Sequence, residues 1–152
     1  YLNAPALAEG RGIRVTESRP AEDCEFTDLI TVTVGNAKEN VIVAGTLHFP
    51  DGTREQALAE TAPLVVETRT QNGCLHYVWC ADPTSDTRLY VYEKWASVAD
   101  LAAHLAGPFY HSMLGKLGGY GVYDIDISKY RIDLEEPVYD PEGQPRADFF
   151  TA

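Results

Sequence analysis

Apolar and polar positions change their period several times along this chain, and each change marks an element. Val41 to Phe49 (VIVAGTLHF) is largely apolar and β-branched, which predicts a strand, and Pro50-Asp51-Gly52 supplies the turn that closes it. Thr53 with Gln56 three residues on reads as a capping box, and Ala57, Leu58, Ala62, Val65, Val66 and Arg69 then recur at helical spacing. Pro63 inside that pattern predicts a kink or break, and Gly73 ends the segment. Cys74 to Cys80 (CLHYVWC) and Arg88 to Trp95 (RLYVYEKW) read as two antiparallel strands joined by the turn residues 82–87. Ser97 and Asp100 open a second helix carrying Leu101, His104 and Leu105 on one face, which Gly107 and Pro108 stop. A short helix over Phe109 to Leu117 follows, and Val122 to Asp133 alternates as the last strand.

The order strand, helix, strand, strand, helix, strand predicts an α+β fold: a ferredoxin-like βαββαβ antiparallel sheet with its helices on one face, spanning residues 41–133. A bare apolar sheet face needs cover, and the usual cover is a second copy, so a homodimer is expected. Residues 1–40 read as an arm holding a probable extra strand at 28–35 (DLITVTVG), and 134–152 as an acidic tail containing Pro137, Pro141 and Pro145. The chain starts at Tyr1, so a missing upstream segment is left open.

Charge narrows the partners. The net charge is −11, and residues 132–152 alone hold six acidic side chains against one basic. Twelve scattered Lys and Arg cannot neutralise a phosphate backbone or an anionic membrane surface, so no nucleic acid and no membrane partner is expected. A neutral or weakly acidic apolar small molecule suits this protein better than an anionic one. No apolar run reaches the roughly 18 residues of a membrane span and no leader pattern opens the chain, from which a cytoplasmic location is expected. Cys74 and Cys80, about 20 Å apart on one strand, cannot bond to each other there, and with Cys24 they read as reduced thiols. His48 and His76 lack a third ligand, so no metal is expected. Gly115, Gly118, Gly119 and Gly121 follow a helix instead of preceding one, the wrong order for a phosphate loop.

The pieces Gly73-Cys74-Leu75-His76-Tyr77, Tyr92 to Ser97, Ala103-His104-Leu105 and Pro108-Phe109-Tyr110 stand in an order and spacing that resembles the antibiotic biosynthesis monooxygenase domain. The resemblance implies a dimeric α+β barrel with a pocket in each subunit between sheet and helices. It also implies a cofactor-independent monooxygenase, one that oxidises an aromatic, polyketide-like phenol or anthrone with O2 to a quinone. A phenol that loses a proton reduces O2 readily, so the protein need only bind, deprotonate and exclude water.

His104 is the first candidate base, because a neutral imidazole accepts a proton near pH 7; Glu93, an acid on an apolar strand face, is the alternative base or an ion-pair partner of Arg69. Tyr77 and Trp79, grouped with Leu75 on one strand face, and Trp95 are candidate ring contacts, with the Tyr77 phenol able to orient a substrate oxygen. Phe109, Tyr110 and His111 could extend that pocket, Arg69 and Asn72 could hold a substrate carbonyl, and Gly45 could leave it room. Core packing is the alternative for each ring, and a solvated helix end for Arg69 and Asn72. A non-oxidative isomerase or cyclase and a ligand-binding dimer remain open. Haem-degrading proteins on this fold carry an axial histidine where Leu114 stands, and Gly45 falls near their pocket asparagine, so haem is not expected.

Overall fold

The computed structural model describes residues 40–150; the expected strand at 28–35 lies outside them. Seven elements follow in order: β1 (Asn40–His48), α1 (Arg54–Thr68), β2 (Cys74–Ala81), β3 (Arg88–Trp95), α2 (Val98–Leu105), α3 (Pro108–Gly119) and β4 (Tyr123–Ile132). The strands form one antiparallel sheet in the order β2-β3-β1-β4, the ferredoxin-like α+β fold. All three helices pack on the same layer of side chains. Register explains which: Val41, Val43, Gly45 and Leu47 stand opposite Trp95, Glu93, Val91 and Leu89, and most of these are buried. The core is completed by Phe49, Ala57, Tyr77, Leu101, Met113 and Leu117.

The other sheet face carries Ile42, Val78, Tyr90, Tyr92 and Tyr130, the last four more than a third exposed. Beyond β4, Glu135 bonds back to Asn40 Nδ2 at 3.2 Å and pairs with Lys94 Nζ. Farther on, Tyr139 bridges to Pro145 around a turn that the Asp140 carboxylate ties to the Glu142 and Gln144 amides. The acidic tail is therefore anchored to its own sheet at its start.

Several local expectations change. Pro63 neither breaks nor ends α1; it is exposed, as is Ala59, the residue whose carbonyl a position-63 N–H would meet, so water can reach that oxygen. Thr53 does not form a capping box, since its hydroxyl donates to Pro50 O and Gln56 bonds Glu60 instead. The face of α1 that reaches the core buries Arg54, Ala57, Thr61 and Thr68, with the expected Leu58 and Val65 packed against the core half-buried, while Val66 is 58% exposed. Ser97 does cap α2, accepting from Asp100 N at 3.1 Å. A register shift between Cys74 and His76 makes Leu75 the extra residue of a bulge, so Cys74, not Leu75, joins Tyr77 and Trp79 against the core.

Gly45 is required by a neighbouring backbone, not by a cavity. A Cβ there would fall 2.0 Å from Asp126 O and 2.6 Å from Ile127 Cα on β4. Gly73 holds φ +72°, the left-handed turn from which β2 starts.

Candidate functional site

At the end of β3 and the last turn of α2, four aromatic rings surround one histidine or each other. His104 stacks on Trp95, ring centroids 4.7 Å apart and 29° from parallel. Tyr77 from β2 and Tyr110 from α3 meet the imidazole edge-on, each at 5.5 Å. Tyr77 also packs edge-on against Trp95 at 6.5 Å and beside Trp79 at 6.3 Å. Alternation in β2 and β3 aims Tyr77, Trp79 and Trp95 toward α2, and helical spacing from Leu101 brings His104 down onto them. The expected cavity between sheet and helices is filled by these rings: Trp95 is fully buried, and Tyr77 and His104 are each 2% exposed.

The polar atoms inside this enclosure are few. His104 Nδ1 lies 2.8 Å from Gln71 Oε1, and its Nε2 is buried without a partner. Burial lowers the pKa of His104, so the ring is neutral at pH 7. Glu93, 6% exposed, accepts a hydrogen bond from Trp95 Nε1 at 3.1 Å; burial pushes its carboxyl up to about 7, and the indole N–H only partly offsets this. No ion pair forms between Glu93 and Arg69. Burial, and then the nearby Glu93 carboxylate, hold the Tyr77 phenol far above its usual range. Trp79 Nε1 is buried without a hydrogen bond of normal geometry, although it lies close enough to Tyr77 to favour the phenolate slightly.

The remaining candidates separate from this cluster. Phe109 is half-buried at the start of α3, and His111 is exposed with its ring against Tyr110. Arg69 donates through Nε to Tyr77 O at 2.9 Å and lines a recess of about 280 Å³ along β2 with Cys74, Leu75, His76, Tyr77 and Val78. Asn72 gives its amide to Asp100 Oδ1 at 2.9 Å. Both Arg69 and Asn72 therefore already hold the fold together. Cys74 and Cys80 are free thiols, and among the described residues no three His, Cys, Asp or Glu side chains gather as metal ligands. Gln71 is the site residue that sequence reasoning missed; a glutamine in a polar turn carries no signal of a contact 33 residues away.

Comparison with known proteins agrees with this architecture. Residues 40–114 match the family model of the antibiotic biosynthesis monooxygenase domain, and residues 1–55 match that of the D-3-phosphoglycerate dehydrogenase intervening domain, of which only 40–55 are described. An uncharacterized protein of Synechocystis sp. is 25% identical over 99 residues, covering 65% of this chain and 67% of its own length. Two solved structures named as candidate antibiotic biosynthesis monooxygenases share the fold. The one from Deinococcus radiodurans has a TM-score of 0.60 at 23% identity, covering 66% of this chain and 99% of its own. The one from Chloroflexus aurantiacus has a TM-score of 0.53 at 20% identity, with coverages of 64% and 97%. Residues 40–114, just under half of this chain, thus match the antibiotic biosynthesis monooxygenase family model, and their fold is that of the solved structures named for it.

Proposed function

We propose that this domain is a cofactor-independent monooxygenase that oxidises an aromatic phenol or anthrone with O2 to a quinone, working as a homodimer. The observation that supports this reading is the buried, neutral His104, whose Nε2 has no partner inside an aromatic enclosure. A polar atom left unpaired in such surroundings costs about 1–3 kcal/mol, and a substrate proton would relieve that cost.

In this scheme the planar substrate displaces Tyr110, the most exposed ring touching His104, and takes its place against the imidazole. His104 Nε2 takes a proton from the acidic C–H or O–H, with the Tyr77 hydroxyl orienting the adjacent oxygen. The resulting anion passes one electron to O2, and the two radicals join as a C–O bond to give a peroxide. Imidazolium returns the proton to the distal oxygen. Cleavage of the O–O bond with loss of the remaining C–H proton releases water and leaves the new carbonyl, so one oxygen atom enters product and the other leaves as water. Exclusion of water by the surrounding rings protects the anion from simple reprotonation. Glu93, with its raised pKa, is the second base within the same cluster.

The experiment is O2 uptake by metal-stripped protein against anthrones, naphthols and dihydroxynaphthalenes, beside His104→Ala and Glu93→Gln. Uptake well above autoxidation, falling on the order of 100-fold in His104→Ala, is the expected result. Tight binding of a panel member with no O2 consumption overturns the oxygenase in favour of an isomerase, a cyclase or a binding dimer.

A further inference from the structure

We infer that Gln71 is a positioning residue for His104: its amide oxygen accepts from Nδ1–H and so leaves the Nε2 lone pair free toward the ring enclosure. The role in catalysis rests on His104 being the base; the tautomer itself does not.

The contact is short, 2.8 Å, and admits two assignments. With Oε1 facing the ring, Nδ1 carries the proton and the unpartnered buried atom is an acceptor. With the amide turned round, Nδ1 accepts and the unpartnered buried atom becomes an Nε2–H donor. Buried donors without a partner are rarer than acceptors in the same condition, which favours the first arrangement. Free neutral imidazole does not enforce that tautomer by itself, so Gln71 does the selecting.

The two side chains meet because their backbones are clamped. Gln71 sits in the turn after α1, where its carbonyl accepts from Cys74 N at 3.2 Å. From the same turn Asn72 donates to Asp100 Oδ1 at 2.9 Å, and Gly73 O accepts from Ala96 N at 2.8 Å. Asp100, one helical turn before His104, is held in addition by Ser97 Oγ at 2.6 Å. Gly73 lets the turn lie flat on that carboxylate, since a Cβ there would come within 2.1 Å of Asp100 Cγ. Asn72 thus serves the site by fixing the Gln71 turn to α2.

An amide also suits this place better than a carboxylate. The titratable groups around the imidazole are Tyr77 from β2 and Tyr110 from α3, with Glu93 from β3 behind the Trp95 ring; Gln71 adds no charge from the α1 side. A carboxylate at position 71 would hold the imidazolium and occupy the base with a proton before substrate arrives.

The test is nitrogen-15 NMR of the imidazoles in the whole chain without ligand, where His104→Ala identifies one signal among four histidines. The wild-type spectrum is expected to show His104 protonated at Nδ1 above pH 7. In Gln71→Leu the population moves to the Nε2–H form. In Gln71→Glu the contact is kept and the titration midpoint rises by about one to three units. If O2 uptake has been found, both variants lose rate, and Gln71→Glu regains it as the pH is raised. An Nε2–H tautomer in the wild type, or an unchanged tautomer in a folded Gln71→Leu, overturns the assignment whatever the activity panel shows.

Discussion

Glu93 and His104 are both buried in one cluster, yet they respond to pH with opposite sign. For Glu93 the pKa rises from 4.5 in the unfolded chain to about 7 in the native one. Between those values the native state holds a proton that the unfolded state has lost. Its contribution to stability is thus complete below about pH 4.5 and is lost as pH rises through about 7, a change of about 3 kcal/mol. His104 has a lowered pKa, so acidification protonates the unfolded chain first and removes stability as pH falls. Urea unfolding midpoints of wild type and Glu93→Gln, measured between pH 4.5 and 8, separate the two. The variant is expected to gain relative to wild type as pH rises; parallel curves would mean that the Glu93 carboxyl is not desolvated.

At the scale of elements, the described strands and the α2 cap were legible, because each depends on local period or on two residues a turn apart. What was not legible depended on contacts distant in sequence. The charge on Arg54 hides it in a helical pattern, yet its guanidinium is the buried plug under the β2–β3 turn, donating to the carbonyls of Asp82, Ser85 and Arg88. Asp82 is itself held by Arg88 at 2.6 Å and by Thr84, which keeps its carboxyl well below the usual range. Thr61 escaped notice likewise, a buried hydroxyl that answers to Ala57 O at 2.7 Å on its own helix. The bulge at Leu75 moved one residue of β2 to the wrong face, since strict alternation carries no hint of an inserted residue. Gln71 lay in a turn read only as a stop. Arg54→Met keeps the length of the side chain but takes the guanidinium from three carbonyls, of which Asp82 O and Arg88 O keep the backbone donors Ser85 N and Asp82 N, and a loss of about 1–3 kcal/mol in denaturant unfolding is expected. A loss under about 0.5 kcal/mol would show that water replaces the guanidinium freely.

Considered whole, the sheet has one face sealed by α1, α2 and α3 and another that is polar only in part. Tyr92 stands near the middle of that second face, between Val78 on β2 and Ala44 on β1, with His76 6.1 Å from its ring. Tyr90 and Tyr130 extend the patch, each more than a third exposed. A contiguous apolar surface of this kind marks an interface, and a two-fold pairing of identical faces is the simplest way to cover it. Charge works against that pairing, because each copy carries −11. Salt screens such repulsion, with a Debye length of about 30 Å at 0.01 M and about 8 Å at 0.15 M. The proposed dimer should therefore tighten as salt is added, the reverse of an interface held by ion pairs. Sedimentation equilibrium of wild type and Tyr92→Arg across that salt range reads both effects. Wild type is expected as a dimer that strengthens with salt, and the variant, with unchanged far-ultraviolet circular dichroism, as a weakened dimer or a monomer. A wild-type monomer at every salt concentration would leave the face to another occupant, and a dimer indifferent to Tyr92→Arg would put the interface elsewhere on the molecule.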